Sequence, residues 1–143
     1  LLAQVLLLDS DNLPTQDPAT LFHSDPFVTH GFMTWPDFWH NLWMEPAVYC
    51  LLDVPVPWET DPKGLAAESG QLLIDRARHA DVLEWLWLLN AHKGLVYRCL
   101  VGDKDTYKLA FELAGKGHEY WQVRVGCLGW FQFLTATCTN NIA

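Results

Sequence analysis

The sequence predicts an α/β domain, with a mixed, mostly parallel sheet and flanking helices, and three features lead there. Val5–Leu8 is an unbroken run of large aliphatics, which suits a strand buried on both faces at the centre of a sheet. Gln71–Ile74 (Q-L-L-I) is a second apolar run, introduced by Glu68-Ser69-Gly70. Between and after them lie stretches with helical spacing, from about His79 to His92 and from Gly102 to Gly115.

Each element has a local cause. After the first strand, Asn12-Leu13-Pro14-Thr15-Gln16 reads as a loop. Asp17 followed by Pro18 then opens a short helical turn through Phe22, with Asp as N-cap and Pro at the first helical position. Phe27–Gly31 is expected to be irregular, Gly31–Trp35 a second short strand, and Pro36–His40 with Trp43 an aromatic-rich loop. Residues 46–53 suit a short helix, and Pro55, Pro57, Pro62 and Gly64 mark a surface loop. In the helix from His79, Asp81 and Glu84 favour the N-terminal dipole, while Val82, Leu83, Leu86 and Leu89 make the core stripe. Trp85 and Trp87 extend its apolar surface almost all round, as on a helix that is buried or lacks a neighbour. The later helix carries Tyr107, Ala110, Phe111 and Ala114 on one face, and Gly115 stops it. Residues 1–125 read as part of one catalytic domain, and 126–143 as a tail without clear periodicity.

Composition narrows the function. Half of the 143 residues are apolar and 18% are charged, so a sizeable core is available and disorder is excluded. A net charge of −8 argues against nucleic acid, whose phosphates are neutralised by Lys and Arg. No apolar run reaches the ~18–20 residues that span a bilayer. Leu1–Leu8 lacks the basic flank and cleavage site of a signal peptide, so an anchor would lie outside these residues. The chain begins without Met, almost at once inside its most buried-looking strand, and few other strands follow. The expectation is a fragment lacking sequence upstream and downstream. Cys50, Cys99, Cys127 and Cys138 are scattered without a C-x-x-C or Cys/His cluster, which argues against zinc and leaves disulfides or free thiols open.

The chemistry concentrates where the first strand ends. Asp9 and Asp11 stand one residue apart at its carboxyl end, the edge at which open α/β sheets place ligands. Adjacent carboxylates repel, and Mn²⁺ or Mg²⁺ between them relieves the repulsion while bridging a nucleotide-sugar diphosphate. A turn cap at Asp9 and a solvated Asp11 is the plainer alternative. Glu68 and Gln71 offer hydrogen bonds to sugar hydroxyls, and Gly70 permits close backbone approach, although a tight turn before a strand would use the same residues. Asp103-Lys104-Asp105 lies where helix-start carboxylates are expected anyway. Trp35, Phe38, Trp39 and Trp43 suit either an acceptor sugar or the core. The histidines contain no H-x-x-x-H pair and read as surface or core residues.

Taken together and in order, V-L-L-L-D-S-D-N-L-P at 5–14, D-P-A-T-L-F at 17–22, W-P-D-F-W at 35–39, E-S-G-Q-L-L-I-D at 68–75 and G-D-K-D-T-Y at 102–107 resemble the fungal Golgi α-mannosyltransferases, the Mnn1/Mnn2-like group of glycosyltransferase family 71. The resemblance runs from about Val5 to Arg124. It implies a GT-A-like nucleotide-sugar fold, GDP-mannose as donor, Mn²⁺ as metal, a glycan acceptor, and retention at the anomeric carbon. It also implies residence in the Golgi lumen as a type II membrane protein. By the same resemblance Asp9 and Asp11 are metal and diphosphate ligands. Asp103 is a candidate for holding the donor sugar at the reacting carbon, and Glu68, Gly70 and Gln71 line the donor or acceptor pocket. Upstream strands for the nucleotide base, and a late metal-binding His beyond Gly126, are not recognisable.

Two alternatives stay open. A strand followed by D-x-D also describes a HAD-like phosphatase, with Asp9 as nucleophile and Asp11 as acid/base. That motif wants Thr or Val two residues after the second Asp, where this chain has Leu13 and then Pro14. The other alternative is a truncated, non-catalytic paralogue that binds sugar or metal without turnover.

Overall fold

A computed structural model describes residues 3–40, 46–57 and 64–124. The expected roles of Trp43, the middle of the proline-rich loop and the tail, with Cys127 and Cys138, lie outside these residues. Strands β1 (Gln4–Leu8), β2 (Phe32–His40) and β3 (Leu65–Asp75) form a three-stranded sheet in the order β1-β3-β2.

The sheet corrects two expectations. Both pairings are antiparallel, with Leu8 opposite Gln71 on one side of β3 and Thr34 opposite Leu72 on the other. Among the described residues, parallel pairing is confined to a bridge between Thr34 and Gln122. An aliphatic run reports burial and carries no information on strand direction, so the mostly parallel sheet was an over-reading. β1 is also not the buried centre. Among the described residues it is paired along one edge only, and Leu7 is 53% exposed. The central strand is β3, whose Gln71–Ile74 are all buried.

Helices cover the sheet unequally. After a 3-10 turn at Pro18–His23, whose cap Asp17 accepts the Ala19 N–H at 2.9 Å, come α1 (Asp25–His30), α2 (Ala47–Leu51), α3 (Ala80–Ala91), α4 (Lys93–Val96) and α5 (Asp105–Leu113). Where Phe27–Gly31 was expected to be irregular, α1 forms. Pro26 lies in its first turn, and Gly31 closes it in the left-handed region at φ 67°. One sheet face packs Phe32, Leu72 and Ile74 against Val82 and Leu89 of α3 and Leu109, Ala110 and Phe111 of α5. The other packs Met33, Trp35 and Leu73 against Phe27, with Leu21, Phe22, Trp121 and Val123 around them. Each large apolar side chain buried in this way contributes about 1.5–3 kcal/mol. Trp87 remains 71% exposed on α3, so that part of the helix surface is not covered by the described residues. No helix among the described residues is long and apolar enough to cross a membrane.

β2 is longer than expected because it continues through Pro36 into the aromatic stretch. Pro36 has no N–H to give the ladder, and the register shifts on both sides of it. Past α5, Gly115 adopts φ 69° and the chain returns to β2, where Thr34 N–H donates to the Trp121 carbonyl and Val123 N–H to the Thr34 carbonyl.

Candidate functional site

The end of β1 delivers Asp9 and Asp11 into a pocket of about 410 Å³. Glu68, Gly70 and Gln71 of β3 and Pro36, Asp37 and Phe38 of β2 complete its wall, together with Asn12, Leu13, Pro14 and Thr15 of the turn after β1. Five of the six residues singled out in the sequence (Asp9, Asp11, Glu68, Gly70 and Gln71) therefore meet in one cavity. Their convergence follows from the register, since Leu8 pairs with Gln71 and the strand carrying Glu68 runs beside the turn that carries both aspartates.

That turn is fastened to β3 through a single carbonyl. Gly70 O accepts the Asp9 N–H at 2.9 Å and the Asn12 side-chain amide at 2.6 Å. The Glu68 carboxylate in turn accepts the Gly70 N–H at 3.0 Å. A Cβ on Gly70 would sit 2.9 Å from Asn12 Nδ2, too close for ordinary contact, and 3.5 Å from Asp9 Oδ2, so glycine is what lets the Asn12 amide approach this backbone. Asn12 was not singled out in the sequence. Its position directly after D-S-D, where Asn commonly ties down a turn, was the available signal.

Asp103 lies elsewhere. It is exposed at the start of α5, its Oδ1 accepts the Lys104 N–H at 2.9 Å, and it is absent from the pocket wall. Tyr107 joins the two places electrostatically. Burial, and then the negative charges of Asp103, Asp9 and Glu68, push its hydroxyl up to about 12, so it stays protonated. Asp105 opens α5, in the first turn where the dipole favours a carboxylate, and its side chain also turns back: one carboxylate oxygen accepts the Val101 and Gly102 N–H groups at 2.8 and 3.1 Å. Burial raises its pKa despite those bonds.

Among the described residues, four carboxylates face or border the cavity, at Asp9, Asp11, Asp37 and Glu68, and none of those lining it is Lys, Arg or His. Asp37 is neutralised from behind by an ion pair with Lys104. No group of three or more His, Cys, Asp or Glu among the described residues is placed to hold a metal by protein ligands alone. Two neighbouring carboxylates nevertheless fit a hard cation of the Mg²⁺ or Mn²⁺ kind, which commonly takes one or two carboxylates and completes its shell with substrate phosphates and water.

Comparison with known proteins places the chain. Residues 3–52 and 58–135 match the family described as "Mannosyltransferase putative". The α-1,2-mannosyltransferase MNN21 of Candida albicans is 31% identical over 83% of this chain and 24% of its own length. The α-1,2-mannosyltransferase MNN2 of Saccharomyces cerevisiae is 28% identical over 88% of this chain and 28% of its own. A second Candida albicans enzyme, MNN24, is 36% identical over 73% of this chain and 20% of its own. The chain thus spans about a quarter of the length of the curated relatives it matches. No solved structure matches it. By the family match and these identities, the chain belongs to the fungal α-1,2-mannosyltransferase family.

Proposed function

We propose that this chain is part of the catalytic domain of a metal-dependent, retaining α-mannosyltransferase, which moves mannose from GDP-mannose to a glycan acceptor in protein glycosylation. The observation that carries the proposal is the meeting of Asp9 and Asp11 with Glu68 and Gln71 in one cavity, in whose wall the described residues include no basic side chain. A bare diphosphate would be repelled there, since like charges about 4 Å apart cost roughly 4 kcal/mol near a protein surface. A divalent cation held by Asp9 and Asp11 would reverse that repulsion and neutralise the charge on the departing nucleoside diphosphate.

This chain's own residues then orient the reactants. Gly70 and Asn12 hold the aspartate turn at a fixed height above β3. Gln71, buried and on the central strand, presents its amide to the donor sugar. One Glu68 oxygen is occupied by the Gly70 N–H, and the carboxylate accepts from sugar hydroxyls. Asp103, outside the cavity wall, would reach the donor sugar only if the loop before α5 moved toward it. Retention requires the acceptor hydroxyl to attack from the face that the diphosphate leaves, which places the acceptor on the same open side of the sheet. We further read the sheet and its helices as a portion of a GT-A-like fold, in a protein resident in the Golgi lumen through an anchor outside these residues.

A donor screen with nucleotide sugars tests the reading. Transfer from GDP-mannose alone, abolished by chelation, restored by Mn²⁺ and giving an α-linked product by NMR, is the expected outcome. Transfer insensitive to chelation, or selection of another donor, would refute it.

A further inference from the structure

We propose that Phe38, across β3 from the two aspartates, is the stacking surface for a pyranose ring of the acceptor glycan, and that Asp37 and Lys104 position it. The proposal rests on the transferase reading above and adds the place where the acceptor binds. Because β1 and β2 flank β3, the Asp9–Asp11 turn and Phe38 reach the same cavity from opposite edges of β3, with Phe38 nearer its Leu65–Ala67 end. The two strand spacings across β3 alone amount to roughly 10 Å, which leaves room for a hexose in between.

Three observations single out Phe38. It lines the cavity while 47% exposed, and the next ring, Trp39, is 58% exposed. Neighbouring residues of a regular strand point to opposite faces, but the register shift between Pro36 and His40 breaks that alternation, and both rings reach solvent. The backbone beneath is also pinned. Asp37 Oδ1 accepts the Phe38 N–H at 2.6 Å, and its Oδ2 is paired with Lys104 at the start of α5, both side chains being largely buried. Asp37 is thereby committed to holding Phe38 and is not a ligand in its own right. The surroundings suit one ligand class. An aromatic face meets the C–H face of a pyranose, and Glu68 in the same cavity takes its hydroxyls. Among the described lining residues, a phosphate or an acidic peptide would meet only like charge.

Saturation-transfer NMR of methyl α-D-mannopyranoside with the full chain, without donor or metal, reads this site directly. The wild type is expected to saturate the sugar's ring C–H protons. Phe38→Ala and Phe38→Leu should weaken the Kd about tenfold, a loss of about 1.4 kcal/mol. Phe38→Tyr should retain binding. The leucine variant keeps an apolar side chain at the position, so it isolates the aromatic face even if the alanine variant folds poorly. Trp87→Ala, on the exposed side of α3, should bind as the wild type does. Absence of saturation in the wild type, or wild-type affinity in Phe38→Leu, would overturn the proposal. Because neither donor nor turnover enters the measurement, its failure is distinct from failure of the transferase reading, which the donor screen decides.

Discussion

The side-chain amide of Asn12 donates to the carbonyl of Gly70 at 2.6 Å, and this bond ties the turn bearing both aspartates to the central strand. A hydrogen bond of this kind contributes about 0.5–1.5 kcal/mol net. Asn12→Ala should therefore lower unfolding free energy by about 1 kcal/mol, measured by urea titration. Transfer should fall by more than that loss explains, because the carboxylates lose their fixed spacing. Asn12→Asp should be worse than Asn12→Ala, since a carboxylate facing the Gly70 carbonyl repels it.

Gly31 is a second position at which only glycine fits. Its φ is 67°, and an added Cβ would lie 2.7 Å from Arg78 Cδ and 2.9 Å from His79 Nε2. Gly31→Ala should destabilise the chain by about 2 kcal/mol or more, combining left-handed strain with displacement of the His79 ring. Thermal unfolding of the purified variant reads that loss. An unchanged midpoint would show that the α1–β2 junction is looser than described.

His79 makes folding sensitive to acid. It is fully buried, its Nε2–H donates to the His30 carbonyl at 2.8 Å, its Nδ1 has no partner, and its ring packs against Phe32 and Phe111. Burial lowers its pKa below the ordinary 6.5; Glu119 acts in the opposite direction, and Lys116 and Arg78 add to the lowering. The unfolded chain thus binds a proton before the folded one does. The contribution is fully present above about pH 6.5 and is lost as pH falls from there toward the folded value. His79→Gln, which keeps a donor for the His30 carbonyl, should flatten stability between pH 7 and pH 5. The paired carboxylates act in a lower window. Asp75, held down mainly by the Arg78 N–H, and Asp81, held down mainly by Lys116, withdraw their support only as pH falls below about 3.8. A wild-type profile flat down to pH 4 would contradict the role given to His79.

The pair Asp37–Lys104 joins β2 to α5, with side-chain exposures of 11% and 17%. It lies between an exposed pair, worth at most about 1 kcal/mol, and a fully buried one, where removing one partner costs about 3–5 kcal/mol. A double-mutant cycle with Asp37→Asn and Lys104→Met should give a coupling of about 1–3 kcal/mol. Coupling near zero would mean that α5 is fixed by Phe111 and its apolar neighbours alone.

How far the sequence could be read depended on the range of the interaction involved. Asp17 and Pro18 started a helical turn, Gly115 ended a helix, and Val82 and Leu89 faced the core, because caps and 3.6-residue periodicity are local signals. The Asp9–Asp11 pair and Glu68–Gln71 were legible as separate motifs; only the antiparallel register of β1 on β3 made them neighbours. Leu7 read as buried because a sequence does not tell a strand how many of its edges are paired. Asp103 read as a site residue from motif position, whereas Asp105 and Lys104 set the local geometry around it. The Phe38 ring escaped the loop assigned to it because a register shift at a proline in a strand leaves no periodic trace. The helix at Asp25–His30 did have a signal, Ser24 and then Pro26, but it was too short to stand out.

The most direct measurement is mannose transfer from GDP-mannose in the presence of Mn²⁺, comparing wild type with Asp11→Ala, alongside the thermal midpoint of each. Asp11 is exposed and its side chain makes no hydrogen bond or ion pair among the described residues, so the account predicts abolished metal-dependent transfer with a midpoint close to wild type. Turnover in Asp11→Ala equal to that of the wild type would contradict it.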